Sequence, residues 1–82
     1  MVTISFGDDF EKTFKKIKNA DLKEKLIKQF IKIKENPEIG KPMRYTRKGT
    51  REIYVPPFRL SYLYEQETNK IILLDLYHKD EQ

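Results

Sequence analysis

The chain has 82 residues, 37% of them charged, and a formal net charge of +4, with an isoelectric point near 9.3. A chain of this length builds one domain, residues 1–82, around one modest core, so a functional site must lie on the surface of that core. The absence of cysteine excludes disulfides, thiolate metal sites and cysteine nucleophiles; with no apolar run near the ~20 residues of a spanning helix and no signal-peptide pattern, a soluble cytoplasmic protein without a membrane partner is expected.

The N-terminal "VTISF" alternates Val2, Ile4 and Phe6 with Thr3 and Ser5, which predicts a short strand closed by Gly7. "DDFEKTFKKIKN" follows, with Asp8 as the expected N-cap, Glu11 three residues on, and Phe10, Phe14 and Ile17 at helical spacing. A second helix is expected from Asp21, with Glu24 three residues later and a wide stripe of Leu22, Leu26, Ile27, Phe30, Ile31 and Ile33 before "ENP" stops it. The short "NA" between them predicts an antiparallel helical hairpin whose two stripes cover a sheet. From residue 43 the period changes to two. "MRYTR" and "REIYV" flank Lys48 and Gly49, which predicts a hairpin-like turn; "FRLSYLYE" and "KIILLDLYHK" are two further runs joined by "QETN". The last run is apolar from Ile71 to Leu74 and is expected inside the sheet. The fold class is therefore α+β: an N-terminal strand, a helical hairpin, then a three- to four-stranded, mainly antiparallel sheet covered on one face.

The charges are unevenly spread. All four arginines, Arg44, Arg47, Arg51 and Arg59, fall in one window, and between Lys41 and Arg59 six basic residues face a single acid, Glu52. Arginine offers a planar fork of donors that matches phosphate oxygens, so this window is the candidate site and the helical lysines a solvated face. Counting by twos puts Phe58, Leu60, Tyr62 and Tyr64 toward the helices, with Ile53 and Val55 beside them. Glu52, Tyr54, Arg59, Ser61, Asp75, Tyr77 and Lys79 then share the opposite face, while His78 follows the parity of Leu74 and Leu76. On this count Arg59 is either a ligand contact or half of a cross-strand ion pair with Glu52 or Asp75.

The order of these features, with "NP" ending the hairpin, "GKP" leading to the basic turn, "REIYVPPFRLSY" and the closing "LLDLYHK", resembles the RelE/ParE superfamily of toxins from type II toxin-antitoxin pairs over nearly the whole chain. The resemblance implies a RelE-like fold, a cognate antitoxin as partner and, in the RelE branch, a metal-independent endoribonuclease that cuts mRNA in the ribosomal A site without a cofactor. It puts Arg59 where the family clamps a phosphate, and His78 and Lys79 where a histidine and a second basic residue close the chain. Where relatives carry a basic pair this chain has Glu52 and Tyr54. Glu52 is then a candidate general base, Tyr54 or Tyr77 a stacking surface for a base, and Arg44, Arg47, Lys48 and Arg51 contacts to RNA phosphates. Two alternatives stand beside this reading: a ParE-like, non-nucleolytic inhibitor of DNA gyrase, and a catalytically weak relative that binds only its antitoxin.

Overall fold

A computed structural model describes residues 2–43 and 49–78. The elements run β1 (Thr3–Phe6), α1 (Asp8–Lys16), α2 (Ala20–Glu35), β2 (Lys41–Pro42), β3 (Thr50–Val55), β4 (Phe58–Glu65) and β5 (Lys70–His78). The five strands form one sheet in the order β1-β5-β4-β3-β2. Only β1 pairs in parallel, with β5; the other three pairings are antiparallel. The α+β layout expected from periodicity is the one observed, with the N-terminal strand joined to the sheet and the apolar β5 inside it.

The helices form because their apolar residues recur on one side and find a common core. Phe10 of α1 and Leu26 and Ile33 of α2 are fully buried against Leu60, Tyr62, Ile71 and Leu73 of the sheet. Each such side chain contributes about 1.5–3 kcal/mol relative to exposure. α2 runs back along α1: Lys23 sits over the Phe14 ring, and Phe30 meets both Phe14 and Phe10. Phe6 joins these three rings edge-on, so β1 is fastened to the helices as well as to β5. No helix among the described residues is long and apolar enough to cross a membrane.

Both helix starts lie one or two residues earlier than the acid pattern indicated. Gly7, not Asp8, is the N-cap of α1; its carbonyl accepts from the Glu11 amide at 2.9 Å. Asp8, Asp9 and Glu11 lie inside the first turn, where their charge complements the amide dipoles. At α2 the cap is Asn19, whose side-chain oxygen accepts from the Leu22 amide at 3.2 Å, and Asp21 is already helical. The first described strand after the helices, Lys41–Pro42, lies just before the expected "MRYTR" run. Lys41 pairs with Glu52 and Pro42 with Arg51, and most of the expected run, residues 44–47, lies outside the described residues. A proline suits this position because β2 is a sheet edge, where its missing donor costs no ladder bond. Gly49, at φ +91°, occupies the left-handed region that favours glycine just before β3.

A bulge resets the alternation of β5. Ser61 opposes Asp75 but Tyr62 opposes Leu73, so Leu74 has no direct partner. Leu73 and Leu76 therefore both reach the core, and Leu74 does not share the parity of Leu76 as simple alternation assigned it.

Candidate functional site

β3 and β4 are joined by the two-residue loop Pro56 and Pro57, and this short connection pairs Val55 with Phe58 and fixes every pair behind it. Two rows of side chains result on the face away from the helices. Glu52, Ser61 and Asp75 lie opposite one another across β3, β4 and β5, as do Tyr54, Arg59 and Tyr77. The counting by twos thus placed these six residues as the register does; Lys79 lies outside the described residues.

Arg59 is paired. Its Nη1 donates to Glu52 Oε1 at 2.6 Å, and the other carboxylate oxygen, Oε2, accepts from the Tyr77 hydroxyl. The Glu52 hydrogen bond holds the Arg59 guanidinium above the ordinary arginine range, against the opposing effect of desolvation. Asp75, the other possible partner, turns its Oδ1 to the Leu76 amide at 2.9 Å beside the bulge. The guanidinium carbon is 5.9 Å from the centroid of the half-exposed Tyr54 ring, within reach of a cation–π attraction. Arg59 Nε is buried and has no hydrogen-bond partner. Beside this cluster a cavity of about 430 Å³ opens at the sheet edge, lined by Gln29 and Lys32 of α2 together with Lys41, Glu52, Tyr54 and Arg59.

The other expected site residues separate from this group. Arg51 faces the helix side, and its Nη1 donates to the carbonyls of Glu38 at 3.0 Å and Gly40 at 2.7 Å. It fastens the segment after α2 to the sheet rather than offering its fork to a ligand. The same segment is held by Tyr62, whose hydroxyl donates to the Pro37 carbonyl at 2.8 Å and accepts from the Gly40 amide at 2.9 Å. Gly40 has to be glycine here, since a Cβ would stand 2.8 Å from that hydroxyl. His78 pairs with Phe58 and meets its ring edge-on at 5.6 Å, on the side of the sheet opposite Arg59. Arg44, Arg47 and Lys48 lie outside the described residues. The contact that sequence reasoning missed is the Tyr77 hydroxyl on Glu52. The signal for it was the shared parity of residues 52, 59 and 77, but three strands had to be put in register to use it. Lys32 was missed because a helix face and a strand edge meet only in the folded chain.

A helical pair covering one face of a mainly antiparallel sheet is the fold seen in solved RelE toxin structures. The model of the ParE toxin of the parDE type II toxin-antitoxin system matches residues 4–82, and the chain belongs to this family. Among solved structures, the E. coli RelBE toxin-antitoxin complex superimposes with a TM-score of 0.82 at 18% identity, covering 95% of this chain and 96% of the other. The RelBE2 complex from Mycobacterium tuberculosis gives 0.78 at 22% identity, with 95% and 98% covered. A YoeB/ParE toxin from Agrobacterium tumefaciens gives 0.81 at 12% identity, with 94% and 98% covered. Comparison with curated protein sequences returns no match.

Proposed function

We infer that this toxin is an endoribonuclease acting on mRNA at the ribosome, and that a cognate antitoxin neutralises it. The observation that carries the reading is the Glu52 carboxylate held between the Arg59 guanidinium and the Tyr77 hydroxyl on the face away from the helices. RNA is cut when its own 2′-hydroxyl attacks the adjacent phosphorus and the 5′-oxygen leaves. Glu52 takes the hydroxyl proton, Arg59 stabilises the added charge on the phosphoryl oxygens, and Tyr77 gives a proton to the leaving oxygen. The proton on Glu52 then returns to Tyr77 as the product leaves and their hydrogen bond re-forms, which restores both groups and leaves a cyclic phosphate on the upstream fragment. Tyr54, half-exposed beside Arg59, offers its ring to a splayed base. The antitoxin reading is supported by the family and by the superposition on toxins bound to their antitoxins.

A gyrase inhibitor is the second reading, and the Arg59–Glu52 ion pair favours it, because an arginine already neutralised is a weaker phosphate contact. Toe-printing of translating ribosomes and a gyrase supercoiling assay, run on the same preparation, separate the two. New mRNA ends on ribosome addition, lost in Glu52→Gln and Arg59→Ala, are expected. Growth arrest with no new ends and with blocked supercoiling would replace the nuclease by the inhibitor.

A further inference from the structure

Glu52 occupies the position that an anionic ligand of Arg59 would take. Its side chain is only 18% exposed, and it gives one oxygen to Arg59 Nη1 and the other to the Tyr77 hydroxyl. Two carboxylate oxygens shared between a guanidinium and a phenol present the same acceptors as two non-bridging oxygens of a phosphodiester. The arginine side of the contact is incomplete: Nε is buried without a partner, although the edge of a guanidinium carries two parallel donors. In the adjoining cavity Glu52 is the one acidic lining residue, while Lys32 and Lys41 contribute two cations besides Arg59.

We propose that Glu52 is an internal counter-ion filling a phosphate seat made by Arg59 and Tyr77, and that a nucleic-acid phosphate binds there by displacing it. The exchange gives up one ion pair for another, so a single phosphate gains little. A chain with a second phosphate gains Lys41 and Lys32 as well, and the seat is selective for a polynucleotide over a free anion. Once displaced, the Glu52 carboxylate is released next to the bound phosphate, where the proton transfer needs it. This inference rests on Arg59 as the phosphate contact of the proposed function, and it can be read without any cleavage.

The test is an NMR titration of the intact chain with inorganic phosphate at constant ionic strength, following the Arg59 Nε–H resonance, which is assigned by its loss in Arg59→Lys. The wild-type chain is expected to show a weak response. Glu52→Gln, which keeps the shape and removes the charge, should bind phosphate about three- to tenfold more tightly. Glu52→Ala, which removes the carboxylate outright and leaves both donors of the seat in place, should give a gain in the same direction and decides the matter if Glu52→Gln does not fold. Equal midpoints in wild type and variant, or an Nε–H resonance that phosphate does not move in Glu52→Gln, would overturn the proposal. Tighter phosphate binding with no RNA cleavage by the wild-type chain would leave the seat standing and remove the nuclease.

Discussion

Arg59 and Glu52 hold their ion pair at 36% and 18% side-chain exposure, on neighbouring strands rather than on one helix, so the backbone ladder sets their separation. Arg59→Ala leaves the core untouched, and the far-ultraviolet circular dichroism should not change. RNA cleavage should fall about 100-fold or more, as when one charge-stabilising donor is removed from an acyl- or phosphoryl-transfer site. Arg51 should behave in the opposite way. Arg51→Ala frees two backbone carbonyls from their partner and is expected to cost about 1–3 kcal/mol in urea denaturation, with little change in RNA affinity of the folded chain. Tyr62 gives a pH signature. Burial raises its phenol above the ordinary value of 10.0, a shift that the Gly40 amide hydrogen bond and Arg51 partly offset. The folded chain therefore keeps this proton at pH values where the unfolded chain has lost it. Its contribution is complete below the ordinary value and is lost as pH rises through the folded one. Unfolding measured from neutral pH into this alkaline range should show that loss in the wild type and a weaker one in Tyr62→Phe.

At the level of the elements, capping separates two acidic signals that look alike in sequence. Asp8 was expected to cap the first helix and Asp21 to begin the second, yet the structure uses the Gly7 backbone and the Asn19 side chain as caps. Capping depends on which residue has extended backbone at the boundary, and Asn19 at φ −78°, ψ 112° has it. Asn19→Ala should therefore lower thermal stability by about 1 kcal/mol, and Asp8→Ala by only about 0.3–1 kcal/mol through the dipole. The strands were more legible. Alternation over "REIYV" and "FRLSY" assigned the faces of Glu52, Tyr54, Arg59 and Ser61, because one face of a two-layer fold is buried and a slip of one residue would bury the arginine. Only at Leu74 did alternation mislead, where the bulge inserts a residue that no local pattern announces.

For the molecule as a whole, β4 and β5 lie inside the sheet and carry Leu60, Tyr62, Ile71 and Leu73, whereas β2 is a two-residue edge. Native-state hydrogen exchange should be slowest at the paired amides of β4 and β5 and fastest among the strands at Lys41. Salt bridges of Lys15 with Glu11 and of Lys28 with Glu24 on the helices are exposed and worth little.

The amino-acid order by itself determined the α+β class, the helical hairpin, the residues facing the helices and the face that carries Arg59, since these follow from periods of 3.6 and 2 and from burial on one side. Tertiary structure decided what those residues do to one another. The register across three strands brought the Glu52 carboxylate onto Arg59 and Tyr77, and it left His78 against Phe58 on the other side. Arg51 turned inward to the loop after α2 because unpaired carbonyls there needed a donor. Parity names a face, but a hydrogen bond needs a distance, and that distance exists only once the strands are laid side by side.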